Sequence, residues 1–283
     1  MQENSIALLW TGLTILGHIH ETTADTSNEQ KIQGNHGEIE KSPWSKDGIS
    51  MYKRDKYARD RVMKSARLLL PYLNPDDKNP STILDVGCFT WEARKYFPRS
   101  VKYIGIDQEK YHPKTQVVDL NHGFEPIPCQ LALCLETLEH LVDPYDTLQS
   151  IVQSLVEGGH LVVSLPNEAT LFHRLRALLG TVDGDCFAGE GKHLHLPSKA
   201  QTLRFLGKFP QLELVRFLTY ISPTAQGSKQ EWVGRILGSI PDSIHQALAD
   251  WFPSLFARGF IFLLKKVTPD NKLTQAPEQS QPS

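Results

Sequence analysis

Glu136, Glu139 and His140 stand at i, i+3 and i+4 in the stretch Glu136-Thr137-Leu138-Glu139-His140. If the chain turns helically there, two carboxylates and an imidazole share one face. That set can hold a divalent cation such as Mg or Mn, and an imidazole that titrates near neutrality can remove a proton. A plainer use exists too: the glutamate holds a loop and the histidine lines a pocket. A second set is formed by Asp85, Asp107 and Asp119, which stand at the ends of three successive β-branched runs, with Gly87 directly after the first. A glycine at that point lets backbone N–H groups approach an anionic ligand. Asp107 can accept both hydroxyl protons of a ribose, and Asp119 can accept from an adenine amine.

These residues need a scaffold that brings strand ends together. Runs at Thr82–Val86, Tyr103–Asp107, Gln116–Leu120, Leu131–Leu135 and His160–Leu165 alternate with helical stretches. That alternation predicts a parallel sheet wound with helices on both faces, whose ligands lie beyond the carboxyl ends of the strands. Asp143-Pro144 opens the helix before the fifth strand, and Gly158-Gly159 is expected to close it. Leu212–Tyr220 and Gly259–Lys266 read as two more strands, separated by a helical insertion at about 221–256. Ahead of the first strand, Tyr57, Val62, Ala66, Leu69 and Leu70 recur at helical spacing within Met51–Leu73. Residues 41–70 carry nine Lys or Arg (Lys41, Lys46, Lys53, Arg54, Lys56, Arg59, Arg61, Lys64, Arg67) against Asp47, Asp55 and Asp60. The reading is an amphipathic helix with a cationic face that attracts an anionic acceptor, or else a solvated surface.

At 283 residues with 40% hydrophobic and 22% charged content, the chain fits one globular domain with attachments and excludes a disordered or fibrous protein. A net charge of -2 excludes a polyanion binder that works through overall charge, so a nucleic-acid partner would need a local basic surface. The four cysteines form no C-x-x-C pair, which fits a reducing, cytoplasmic setting. Ser5–Ile19 is apolar but shorter than the roughly 20 residues that span a bilayer, so no stable membrane insertion is expected. It also lacks the basic start of a secretory signal. The expected organisation is an apolar segment and polar linker over 1–40, the basic helix over 41–80, one domain over 81–266 and a disordered tail over 267–283. The sequence sets no oligomeric state.

Leu84-Asp85-Val86-Gly87-Cys88, Tyr103-Ile104-Gly105-Ile106-Asp107, Val118-Asp119-Leu120, Leu133 to Leu141 and Gly158 to Asn167 resemble, in this order, the motifs of class I S-adenosylmethionine-dependent methyltransferases. The nearest likeness is to the group of methyltransferase types 11, 12 and 23. It covers Ser81 to Tyr220 and reaches the final strand near Lys266. The resemblance implies an α/β fold, a doubly wound and mostly parallel seven-stranded sheet with the last strand antiparallel. It implies S-adenosylmethionine contacted by Asp85, Gly87, Asp107, Asp119, Leu120 and Glu136, and an acceptor chosen by attached segments. The chain departs from the family at Phe89 and Trp91, where a second and third glycine are usual. Phe89 is expected to crowd the methionine part of the cofactor. Either binding survives with an adjusted turn, or the fold serves as a partner-binding scaffold.

Glu136-x-x-Glu139-His140 further resembles the motif of small-RNA 3'-terminal 2'-O-methyltransferases and quinone-biosynthesis O-methyltransferases. That resemblance implies a metal site of Glu136, Glu139 and His140, completed by His193 or His195. Methyl transfer is an in-line displacement at a sulfonium carbon, so the protein mainly aligns the nucleophile and takes its proton. His140 is the first candidate base and His193 the second, with Glu168 a further lining residue. The expected function is O-methylation of a small molecule or polymer end, anionic acceptors included. A nicotinamide-dependent oxidoreductase fits less well, because G-x-G-x-x-G is absent.

Overall fold

Side chains alternate between two faces along seven strands, and that alternation builds two cores on one sheet. The computed structural model describes residues 56–74, 76, 78–180, 193–195, 197–221 and 241–268, all within the unit Lys41–Ser283. The readings of residues 1–55, of Cys186, of most of the insertion and of nearly all of the tail lie outside the described residues.

In chain order the elements are α1 (Lys56–Leu69), β1 (Thr82–Val86), β2 (Lys102–Asp107), β3 (Gln116–Val117), β4 (Cys129–Leu135), α2 (Pro144–Ser154), β5 (Leu155–Pro166), α3 (Leu171–Leu178), α4 (Lys199–Leu206), β6 (Leu212–Tyr220), α5 (Asp242–Trp251), α6 (Pro253–Phe256) and β7 (Gly259–Lys266). The sheet order is β3-β2-β1-β4-β5-β7-β6. β1 to β5 pair in parallel, and β7 runs antiparallel to both β5 and β6. This is the seven-stranded arrangement expected from the sequence. Ile83, Leu131, Leu133, Val162, Ile261 and Leu263 face α1, while Leu84, Ala132, Cys134, Leu161, Val163, Phe260 and Phe262 face a core shared with α2 and α4. The period of two in side-chain direction makes this split.

Four boundaries differ from expectation. β3 ends at Val117, so Asp119 lies beyond the strand, where its Oδ1 accepts the N–H of Asn121 at 2.9 Å and starts a turn. α2 is capped by Asp143 as expected but ends at Ser154, and Gly158-Gly159 belong to β5. There Gly158, at φ 77°, lets the strand bulge between the pairs Cys129↔Leu155 and Leu131↔His160. Between β1 and β2 the crossover holds a short 3-10 turn, Ala93–Tyr96, instead of an α-helix. α1, described from Lys56, gives way to a 3-10 turn at Leu70–Tyr72, where Leu70 is exposed rather than core. Its cationic face is smaller than the run suggests, because Arg61 turns inward and Lys64 binds Asp60 and Gln246.

Candidate active site

β1 ends in Val86, and the chain then turns so tightly that three residues enter the left-handed region or its edge: Gly87 at φ 74°, Phe89 at 42° and Trp91 at 62°. Gly87 is required twice over. A Cβ there would lie 2.1 Å from Thr137 Oγ1, and its backbone conformation strains any other residue. At Phe89 and Trp91 the chain holds glycine-type backbone with large side chains, at about 1–2 kcal/mol each. The N–H groups of the turn do not point outward as expected. Those of Gly87 and Cys88 donate to the Ile106 carbonyl at 2.9 and 3.1 Å, and that of Phe89 to Asp107 Oδ2 at 2.8 Å. Two aromatic contacts hold the turn against the loop after β2. Phe89 leans on Tyr111 with ring centroids 4.7 Å apart. The buried Trp91 stacks on His112 and donates from Nε1 to Thr115 Oγ1 at 3.0 Å.

The three aspartates occupy different environments. Asp85 is buried and accepts the Tyr103 hydroxyl. Burial pushes its carboxyl up to about 7, against the Tyr103 hydrogen bond and with help from the charge of Asp107. The native state therefore holds the proton more tightly than the unfolded chain. This contribution to stability is full below about 3.8 and is lost as pH rises through about 7. Asp85→Asn should melt close to the parent at pH 5 and above it at pH 8, and equal differences at both values would contradict this. Asp107, at the end of β2, accepts from Phe89 and, at 3.3 Å, from Glu109. Burial raises its carboxyl more than these N–H donors lower it. A carboxylate has about four lone-pair positions, so both oxygens keep acceptor capacity. Asp119 is exposed, and its hydrogen bond from Asn121 lowers it; Leu120 beside it is buried.

The second set divides in two. Only Leu138–His140 forms a 3-10 turn, and Glu136 ahead of it has φ 50°, so Glu136 does not share a face with the other two. Its Oε1 accepts from Tyr220 at 2.8 Å and Ser164 at 3.3 Å, and its Oε2 lies 3.3 Å from Arg61. Tyr220 reaches it because Gly259 leaves room, a Cβ there falling 2.1 Å from the Tyr220 hydroxyl. The expected placement of Glu136 in a metal cluster is therefore corrected: it is the acid of a buried network that ties α1 to β4, β5 and β6.

Glu139, His140 and His193 do converge, with one potential ligand atom from each within 4.8 Å of the others. The Glu139 side chain is fully buried and neither oxygen has a hydrogen-bond partner. Burial, then the charge of Glu136, hold its carboxyl far above the usual range. His193 is brought in because the N–H groups of Leu194 and His195 donate to the Glu139 carbonyl at 2.8 and 3.1 Å. His195 itself turns away to the Leu141 carbonyl. His140 and His193 meet edge to face with centroids 4.8 Å apart, and His193 Nδ1 lies 2.9 Å from Glu168 Oε1. Burial pushes the Glu168 carboxyl up, but the His193 hydrogen bond and the charges of Arg258, His193 and His173 outweigh it and hold it low.

A family model described as a methyltransferase domain matches residues 54–209, more than half of the chain. The chain belongs to this methyltransferase family. Its strand order, with β7 antiparallel, is the class I arrangement. Solved structures of similar fold include an S-adenosylmethionine-dependent methyltransferase from Archaeoglobus fulgidus, 16% identical, covering 77% of this chain and 99% of that one, with a TM-score of 0.47. Another is the N-methyltransferase NodS from Bradyrhizobium japonicum in complex with S-adenosyl-l-homocysteine (15% identical, 81% and 93% covered, TM-score 0.45). A third is an S-adenosylmethionine-dependent methyltransferase from Clostridium acetobutylicum (12% identical, 79% and 99% covered, TM-score 0.49). No curated protein matches the chain.

In this methyltransferase, Asp85, Gly87, Asp107, Glu136, Glu139 and His140 come from the carboxyl ends of parallel strands or the loops that follow them, and His193 joins them from the stretch before α4. Arg61, Thr115, Ser164, Tyr220 and Gly259 also shape the site and were not foreseen. Their partners are distant in sequence, as in the separation of 84 between Glu136 and Tyr220, which leaves no local pattern.

Proposed function

We propose that the protein transfers a methyl group from S-adenosylmethionine to a hydroxyl oxygen of a small molecule or polymer end. The observation that carries this reading is the convergence on one sheet edge of an aspartate with spare acceptor capacity, Asp107, and a pair of histidines, His140 and His193. Asp107 accepts from the ribose, Asp119 and Leu120 border the adenine, and Asp85, Gly87 and Glu136 shape the floor beneath. The cofactor fits these residues because Phe89 is turned onto Tyr111 and Trp91 onto His112, away from the β4 side of the turn. S-adenosylmethionine supplies the methyl group together with its leaving group. His140 takes the proton of the attacking hydroxyl, and His193, oriented by Glu168, is the second candidate for that role.

Glu139, His140 and His193 fit a divalent cation such as Mg or Mn. A buried carboxylate without a donor is costly unless it is protonated or faces a cation. A cation there would occupy the imidazole lone pairs, so His140 and His193 would serve as ligands in place of bases, and the cation itself would lower the pKa of the acceptor hydroxyl as a Lewis acid. Chelation should then slow transfer and added Mg or Mn restore it; rates indifferent to chelator would leave Glu139 a protonated acid.

Product analysis with methyl-labelled cofactor tests the reaction. Label should appear as a methyl ether on the acceptor, and Asp107→Ala should raise the KM for S-adenosylmethionine by about a hundredfold, from roughly 3 kcal/mol of lost charge-assisted hydrogen bonds, with the acceptor KM little changed. A KM that does not move would remove Asp107 from the cofactor site. One observation favours a non-catalytic scaffold instead: the N–H groups of Gly87, Cys88 and Phe89 are all consumed within the protein. That reading requires that the cofactor not bind.

A further inference from the structure

We infer that the face formed by α3 with Trp251 and Phe252 docks the protein onto an anionic lipid bilayer, so that, given the methyltransferase reading above, the acceptor hydroxyl is carried by a lipid. α3 exposes Leu171, Leu175 and Leu178, and Leu179 follows it. Leu178 is 82% and Leu179 77% exposed. At about 100° of rotation per residue these four leucines fall in one narrow stripe rather than around the helix. The exposed Arg174 flanks the stripe, its Nε donating to the Ala169 carbonyl at 2.8 Å. No acidic residue occurs between Glu168 and Asp183.

α3 packs against α6, and the two residues before α6, Trp251 at 78% and Phe252 at 52% exposure, are among the large apolar side chains most open to solvent. A leucine stripe edged by arginine, beside an exposed tryptophan, is the composition of a helix that lies in the membrane interface, with its apolar side in the headgroup boundary and its cations on anionic lipid. The lack of acids from Ala169 to Val182 matches a negative surface, and Asp250, beside Trp251, is held by Thr219 and Gln246. Among the described residues no helix is long and apolar enough to cross a membrane, so the attachment is peripheral.

The position of this face connects it to the chemistry. Thr170 caps α3, its hydroxyl accepting the His173 N–H at 3.3 Å. Two residues earlier, Glu168 holds His193. On this proposal a bilayer under α3 borders the side of the site that His193 occupies, and the acceptor is a hydroxyl of the headgroup layer.

Vesicle flotation of the full chain tests this. Vesicles of phosphatidylcholine with about a third phosphatidylserine should carry the protein up the gradient, and vesicles of pure phosphatidylcholine should carry much less. Leu175→Asp with Leu178→Asp should cut the bound fraction at least tenfold, and Arg174→Glu should remove the preference for phosphatidylserine. S-adenosylmethionine binding measured on the same variants should be unchanged, which shows that they are folded. Equal flotation of the leucine variant and the parent would overturn the proposal, since another segment, such as Ser5–Ile19, would then do the binding. So would a parent that ignores both vesicles, or one that is a dimer in solution while the leucine variant is a monomer. Flotation that depends on the leucines in a protein that does not bind the cofactor would leave the docking face standing and sink the methyl-transfer reading alone.

Discussion

His140→Ala should slow methyl transfer by about 10²- to 10⁴-fold, the contribution of a positioned general base, while leaving cofactor affinity close to that of the parent. The imidazole stands at the end of a 3-10 turn, half-buried, with its Nε2 4.0 Å from the buried Glu139 carboxyl. In the proposed transfer the sulfonium already carries its leaving group, so the step left to the protein would be removal of the acceptor proton as the oxygen attacks. Loss of the ring removes that acceptor without touching Asp107. His193→Ala should cost less if His140 is the base, although Glu168 orients the His193 ring for the same role. Single-turnover rates at saturating cofactor separate the two. A His140→Ala rate equal to the parent would pass the role of base to His193, and parental rates in both variants would make the histidines positioning groups and favour an acceptor that needs no base, such as a carboxylate.

Glu136→Ala should destabilise the fold by about 3–5 kcal/mol, the range for removing one member of a buried ion pair. The cost is high because the carboxylate serves Arg61, Tyr220 and Ser164 together. Its removal leaves the guanidinium without this carboxylate in a site where its own side chain is only 10% exposed. For a chain of this size each kcal/mol moves the melting temperature by about 2–4 °C, so a fall of roughly 10 °C is expected by calorimetry or thermal shift. Glu136→Gln should fall less, since an amide oxygen still accepts from Tyr220. If the alanine variant melted within a degree or two of the parent, the network would be a surface feature and Arg61 would belong to the solvated cationic run after all.

The fold was legible because its information is local. Strands buried on both faces read as β-branched runs, and Asp143-Pro144 announced its helix. Gly158-Gly159 misled for a physical reason: a glycine pair usually ends a helix, yet the positive φ of Gly158 here makes a bulge inside β5. Asp119 reads as a strand end because its run continues in sequence, whereas the N–H of Asn121, donating to its Oδ1, turns the chain two residues after the strand. In the site, Gly87, Asp85 and Asp107 were visible from spacing alone. Glu136 was grouped with Glu139 and His140 by helical spacing, but the chain makes a 3-10 turn there and the positive φ of Glu136 sends its side chain to Arg61. Arg61 hid in a charge run, since a pair formed across the fold has no periodic signature. The glycine-type backbone at Phe89 and Trp91 likewise follows from the turn as a whole.

The central claim is that this edge of the sheet binds S-adenosylmethionine, and calorimetric titration of the full chain with that cofactor tests it most directly. One saturable site per chain is expected, competed by S-adenosylhomocysteine and weakened about a hundredfold by Asp107→Ala, the equivalent of roughly 3 kcal/mol. Absence of saturable heat at millimolar cofactor, in a protein that melts cooperatively, would contradict it and leave the chain a scaffold with a methyltransferase fold.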